Sequence, residues 1–554
     1  MAFDIAGAEY LMCFGSGASP ESQIQRLLGA AGLPRRYPPS VFEKLWQSAV
    51  SFKMSDTTQK VDDEQYLALE KKVVRKIDAI LLPIMLITYG LQYYDKSVLG
   101  TAAIYGIIKD LGLSETINGV TYTTKYSTAT AAFYYGYIVA VLPMGLIFAR
   151  APLVKTAALC VLIWGLVAIL TVVCTNYRGF VAQRVILGFV ESAVSPAFVA
   201  ICALWWKPQE QAKRIGFFYS ATGVFSMFSS LVNIGLGKTG GTHPWKSMYY
   251  FCGSLTIFWA FIIYFVAPEH PLKPGRWFSE QERAVLARRY SENTFGASQQ
   301  SLKGYQVVEA VTDVKTWIYL LMGAAIYICN GSVTAFGAKI ISSWGYTSLQ
   351  TNALMVPGGF FTIVTIAIFS YYADKYKNIR TLLLPLSCVP VVIGAIVVWT
   401  APMNVIAGPL IGYYLVATFG APYVLLLTLA SSNTAGATKK GVTSGFIFIG
   451  YNVGNIVSAY LVFAQEKAIR YRSTWISVIV AMVFASLASI GLRYLYIHEN
   501  KKRDETTPVK TAPEREEVDE EKVLGSGESA PSLLSSTTVV DKSDKERPEF
   551  RYTL

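Results

Sequence analysis

The sequence predicts an all-α membrane protein with twelve spanning helices in two halves of six, joined by a charged loop. Three observations predict it. Only 16% of the 554 residues are charged and 53% are hydrophobic, against roughly 25% charged in soluble proteins. The apolar residues come as runs of about 20, the length that crosses ~30 Å of hydrocarbon at 1.5 Å per residue. Backbone groups in lipid must bond within their own segment, so such runs are helices. The runs fall as six, a polar stretch of nearly fifty residues, and six more.

Residues 1–76 are polar or mixed and read as a cytoplasmic N-terminal tail. Asp4 and Glu9 and the missing basic start exclude a secretory signal, so the first apolar run serves as the membrane signal. Met54 opens MSDTTQKVDDEQYLALEKK, which resembles a polar N-terminus, and residues 1–53 are expected to be dispensable. The first half, 77–267, holds runs at 77–107, 126–148, 153–174, 179–205, 214–236 and 248–267. The central loop is 268–315, where SEQERAVLARRYSEN has the period of an amphipathic helix with its charges outward. The second half, 316–496, holds runs at 316–338, 352–372, 380–400, 404–430, 442–464 and 473–496. Residues 497–554, rich in Lys, Glu, Asp, Ser and Thr, read as a disordered cytoplasmic tail.

An even number of spans puts both termini on one side. Lys71, Lys72, Arg75 and Lys76 flank the first run, and the central loop carries seven Lys and Arg. The positive-inside rule makes that side cytoplasmic. The net charge of +12 sits mostly in loops, which suits membrane topology and an anionic leaflet rather than nucleic acid. The seven Cys lie far apart without a CxxC, and the three His lie in loops or flanks. A metal site is therefore not expected. No GxSxG, P-loop, HExxH or nucleotide fingerprint occurs, so neither an enzyme nor a cofactor is expected.

Several segments together resemble one family. They are LQYYDKSVLGTAAIYGI at the end of the first span, QRVILGFVESAVSPAF in the fourth, and WWKPQEQAKRIGFF after it. YYADKYKNIR follows the eighth span, and NTAGATKKGVTSGFIFIGYNVGN joins the tenth to the eleventh. From about Leu69 to Tyr496 the chain resembles the fungal anion:cation symporters of the allantoate permease type, a branch of the major facilitator superfamily. The resemblance implies the major facilitator fold, usually a monomer, and proton-linked uptake of a small carboxylate or vitamin-like anion, most simply at the plasma membrane. PMGLIFARAPLVK keeps Arg150 and Lys155 but lacks the acidic residue of the general facilitator loop, and its counterpart keeps Asp374, Lys375 and Arg380. Such loops tie neighbouring helices and bias the gate.

A charge inside a spanning helix costs from ~2.5 to roughly 10 kcal/mol. Four ionisable residues are flanked by apolar sequence: Asp95 and Lys96 in the first span, Arg184 and Glu191 in the fourth. Arg184 and Glu191 share a helix face, ~10.5 Å apart along the axis. In the facilitator fold both spans line a central cavity, and the four charges sum to zero. Lys96 and Arg184 suit a carboxylate substrate, Arg184 through two parallel hydrogen bonds. Asp95 or Glu191 suits a proton carrier. The resemblance gives these four positions the same roles, with Lys96 standing where bacterial members carry Arg. The alternative is that the charges only pair with one another and hold the two spans together.

Gln92 and Tyr94 are candidate pocket residues, as are Asn330 in the seventh span and Tyr451, Asn452 and Asn455 in the eleventh. The same polar groups could instead bond a neighbouring helix. A proton-driven exporter is the first rival, but the fifth span lacks the Gly-Pro element such antiporters carry. PEHP at 268–271 loosely resembles a sugar-porter loop, although four membrane charges suit an anion better. A nutrient sensor without transport is the third. The expected partners are a small organic anion, protons and lipid. A chain expressed from Met54 should insert and transport as the full chain does; loss of either refutes the dispensability of residues 1–53.

Overall fold

Apolar runs become helices here because nothing else satisfies a backbone in lipid, and twelve such helices, α1 to α12, form the body of the protein. The computed structural model describes residues 63–148, 151–238, 241–295, 303–376, 378–402, 407–506, 543–548 and 550–554. The expectations for residues 1–53 and for Arg150 lie outside these. The backbone divides into Met1–Lys71 and Lys72–Leu554, and the helical body belongs to the second unit apart from the first turns of α1.

The first half contains α1 (Asp63–Ile104), α2 (Thr124–Phe148), α3 (Leu153–Leu170), α4 (Tyr177–Glu191, then Val194–Trp205), α5 (Pro208–Tyr219, then Ala221–Gly237) and α6 (Pro244–Val266). A two-stranded hairpin, β1 (Glu115–Ile117) and β2 (Val120–Tyr122), joins α1 to α2 with Glu115 opposite Tyr122. Helices at Glu280–Phe295 and Gly304–Thr312 occupy the central loop. The second half contains α7 (Val314–Asn330, continuing to Gly337–Ser342), α8 (Ser348–Lys375), α9 (Arg380–Thr400), α10 (Ala407–Val416, then Gly420–Ser432), α11 (Ala437–Tyr460) and α12 (Arg472–Thr506).

Ten helices among the described residues, α3 to α12, are long and apolar enough to cross a membrane. The 42-residue α1 and the 25-residue α2 complete the two sets of six. The chain reverses at each span. One end of the bundle, here the loop side, therefore carries the start of α1, the central loop and the end of α12. Outward faces stay apolar: Leu166, Leu170 and Val173 by α3, Phe258 and Phe265 on α6, and Val480 and Leu487 on α12 are all exposed. A contiguous apolar face of this kind belongs against lipid.

Four helices among the described residues are interrupted part-way. The backbone of α7 makes a π-turn at Gly331–Ala335, α10 tightens to a 3₁₀ turn at Ala417–Phe419, α4 steps between Glu191 and Val194, and α5 is interrupted at Ser220. Such interruptions gather at binding sites in transporters.

The tail differs from its sequence reading. Residues 497–506 continue α12, and Ser543–Leu554 is seated on the loop side of the second half. Composition reports the absence of an apolar run there. It does not report that Tyr552 and Asp544 find a partner surface.

Small residues set the closest helix contacts. On α4, a Cβ added at Gly188 would overlap the Phe133 carbonyl oxygen of α2, and one added at Gly136 would overlap that of Val185. Gly450 of α11 meets Leu320 of α7 in the same way. Gly188→Val should therefore cost at least about 1–3 kcal/mol by overpacking, read as a lower Tm and less monodisperse protein. Gly491→Ala, which enters open space inside α12, should leave Tm unchanged or raise it, because Ala favours a helix interior over Gly. Equal Tm for both variants would refute the close-contact account.

Candidate functional site

Between the halves lies a cavity of about 1070 Å³, open space at its mouth included. Its walls carry Tyr89 and Tyr93 of α1, Tyr219 of α5, Tyr327 of α7, Tyr423 of α10 and Tyr451 of α11. Ser97, Thr101, Ser226 and Thr334 add hydroxyls. Lys96 supplies the one charged side chain among the described lining residues. A second pocket of about 310 Å³ shares Lys96, Asn330 and Thr334 with the first and adds Arg184, Tyr134 and Asn455.

The four predicted charges cluster. Lys96 Nζ lies 2.6 Å from Glu191 Oε1, and Glu191 is fully buried. Asp95 is 1% exposed and accepts a 2.9 Å hydrogen bond from the Trp164 indole of α3; its Oδ1 has no partner among the described residues. Arg184 is 3% exposed, and its Nε and Nη1 have no hydrogen-bond partner among the described residues. Both cations approach Phe133: the Arg184 guanidinium stands 5.2 Å and the Lys96 ammonium 5.4 Å from its ring centroid. Glu191 thus pairs with Lys96 of the neighbouring helix, not with Arg184 of its own. Lys96 and Arg184 face the pockets. Asp95 and Glu191 stand behind them and line neither.

The polar candidates divide. Gln92 lines the main cavity and donates a 3.4 Å bond to the Glu191 carbonyl oxygen. Tyr94 faces the other way: its hydroxyl donates to Asn233 at 2.9 Å, and Tyr93 takes the cavity position. Asn330 lines both pockets and donates to Asn455 Oδ1 at 2.6 Å. Asn455 also donates to the Tyr451 carbonyl oxygen, and Tyr451 packs 4.2 Å from Tyr327, centroid to centroid. Asn452 lines neither pocket and donates to the Phe448 carbonyl oxygen. Of the gating-loop residues, Lys155 gives its backbone N–H to Glu269, and Lys375 stands 5.5 Å from the Tyr371 and Tyr376 rings. Arg380 gives its backbone N–H to Leu554, and none of these, nor Asp374, lines the cavity.

Of the tyrosine lining the sequence singled out Tyr451; Trp164 and the other cavity tyrosines carry no signal there, because aromatic rings inside an apolar run look like core. The loop-side latches were also missed. Arg214 grips Asp78 with two 2.7 Å bonds, while the Trp206 indole donates to the same carboxylate. Lys76 meets Glu282 at 2.7 Å and Arg289 meets Glu210 at 2.7 Å, fastening the Glu280–Phe295 helix to the first half. Burial pushes the Glu282 carboxyl up, but Lys76 and the Ser279 N–H outweigh it and hold the group below its ordinary range. That latch therefore contributes at neutral pH and weakens as pH falls through the lowered value.

On the far side, the halves join through hydrogen bonds. Tyr126 donates to the Ala335 carbonyl oxygen at 2.6 Å, Ser348 to that of Ile104 at 2.9 Å, and Asn352 to Tyr105 at 3.4 Å. Toward the loop side, the Tyr219 and Tyr423 rings meet across the cavity at 6.0 Å.

Two halves around a polar cavity with charges at its wall make a carrier rather than a channel or a catalyst, and residues 85–459 match the Major Facilitator Superfamily. The chain belongs to the major facilitator superfamily. It is a multi-pass membrane transporter of a small molecule, not an enzyme. It is 31% identical to transporter C417.10 of Schizosaccharomyces pombe, over 88% of this chain and 90% of that one. Allantoate permease of Saccharomyces cerevisiae is 28% identical over 90% and 91%, and the thiamine pathway transporter THI73 of the same yeast is 26% identical over 79% and 82%. These relatives place the major facilitator chain with the allantoate permease type that its motifs resemble. The proton:xylose symporter XylE bound to 6-bromo-6-deoxy-D-glucose superposes with a TM-score of 0.60 over 76% of this chain and 95% of that one. At 14% identity this shows the shared fold alone.

Proposed function

We propose that this transporter takes up a small organic anion, a carboxylate or a vitamin-like acid, together with protons. The observation that carries the reading is Arg184, a buried guanidinium with two unpartnered nitrogens at a pocket wall. A buried guanidinium whose N–H groups lack acceptors is costly in a membrane, and an anionic ligand offsets that cost. A carboxylate can take two parallel bonds from the guanidinium, while Asn330 and Asn455 of the second half face the same pocket and read its other end.

The coupling follows from Lys96. Lys96 pairs with Glu191. An arriving carboxylate competes for that ammonium, and Glu191, losing its counter-ion in a dry setting, takes up a proton. Asp95, held by Trp164, completes the neutral set of two acids and two bases. Release of the anion restores the Lys96–Glu191 pair and frees the proton. The cationic loop side suits the cytoplasm, and the plasma membrane suits an uptake carrier.

The test is uptake of a panel of labelled small carboxylates at acidic and neutral external pH. The expected outcome is accumulation driven by an inward proton gradient. Asp95→Asn and Glu191→Gln should each abolish accumulation while leaving folding and substrate exchange in place. Normal accumulation in both variants would overturn the proton-carrier assignment.

A further inference from the structure

The segment Ser543–Leu554 lines neither pocket of the cavity, yet it is anchored more thoroughly than a solvated tail would be. Asp544 is fully buried; its Oδ1 lies 2.6 Å from Lys439 of α11, and its Oδ2 accepts from the Tyr552 hydroxyl at 2.6 Å. Tyr552 is 2% exposed and stacks on Tyr496 of α12 at 5.1 Å and 15°. Lys315 of α7 and Arg503 of α12 stand 4.7 and 4.8 Å from its ring centroid.

Two asparagines read the backbone of the segment as a neighbouring strand would. Asn500 of α12 donates to the Tyr552 carbonyl oxygen at 2.9 Å and accepts from its N–H at 2.9 Å. Asn433, which follows α10, does the same for Thr553 at 2.9 and 2.7 Å. The Leu554 carbonyl oxygen accepts the N–H of Arg380, the first residue of α9, at 2.9 Å. Each paired amide satisfies a donor and an acceptor at once, and buried polar groups left unpaired cost about 1–3 kcal/mol each. The spanning-helix ends touched belong to the second half and lie on the loop side; Tyr305 of the central-loop helix Gly304–Thr312 also donates to Glu546 at 3.1 Å.

We propose that Ser543–Leu554 is a releasable brace that binds the loop-side ends of α7, α9, α10, α11 and α12 into one rigid body. Its grip is mostly polar, with one large ring inserted, so it can leave without unfolding the helices beneath it. Lys439 keeps Glu309 at 2.8 Å and Asp313 at 3.0 Å when Asp544 departs, and Lys315 keeps Glu499 at 2.9 Å. Alternating access rocks one half against the other, and a half moves as a unit only while its helix ends stay fixed. Docking therefore governs how stiffly the second half moves, independently of what the cavity carries.

Hydrogen exchange on purified full-length protein tests this without any substrate. The comparison is with a chain ending at Lys542, with full-length Tyr552→Ala, and with a Ser432→Cys/Thr553→Cys pair whose wild-type hydroxyls are 3.1 Å apart. Losing the brace should speed amide exchange at least tenfold at the start of α9 and the ends of α10 and α12, while the loop-side ends of α2 and α3 stay unchanged. The oxidised cysteine pair should slow the same amides, and reductant should restore them. If the truncated chain misfolds, Tyr552→Ala alone decides. Unchanged exchange at those three ends, or an equal rise in both halves, would overturn the proposal.

Discussion

An ammonium and a carboxylate 2.6 Å apart, Lys96 and Glu191, hold together the polar centre of a protein that is otherwise built to sit in lipid. Neither charge is tolerable there alone. The pair joins α1 to α4, and Arg184 makes no salt bridge among the described residues. Two acids and two bases balance in sum, but the balance is uneven in space, and the uneven part faces a pocket. The Arg184 guanidinium at that pocket wall is what the rest of the architecture encloses: the tyrosine lining, the broken helices and the glycine contacts that pack α2 against α4.

The halves give the site its two walls. The charges come from α1 and α4, and the amides facing them come from α7 and α11. The π-turn of α7 begins directly after Asn330, and Thr334 within it lines both pockets. The far-side hydrogen bonds between halves lie in one stack from Tyr126 to Asn352, whereas the loop side is fastened mostly within each half, by Asp78 with Arg214 and by Lys439 with its three acids. A body stitched together this way can hinge between its halves while each half stays intact.

The twelve spans and the four charges were legible because hydropathy and charge are opposites in a membrane, so each exception stands out. The partner of Glu191 was not legible. Seven residues along one helix put Arg184 two turns away, too far for direct contact, and only the fold brings Lys96 across from α1. Tyr94 and Tyr93 differ by one residue and about 100° of helix rotation, which sequence cannot resolve without knowing where the cavity lies. Trp164 and the cavity tyrosines other than Tyr451 were silent because a ring counts as apolar until its polar edge finds a partner. The docking of Ser543–Leu554 depends on Asn433 and Asn500, which are brought to one surface from different helices and leave no local pattern.

Calorimetric binding of a transported carboxylate to purified protein addresses the Arg184 guanidinium most directly. Arg184→Gln keeps the group polar but shortens it and removes its charge. It should weaken binding at least about tenfold, the scale of one lost charge-assisted bond, with Arg184→Lys falling between it and the wild type. Equal affinity across all three proteins would contradict an anion site at Arg184.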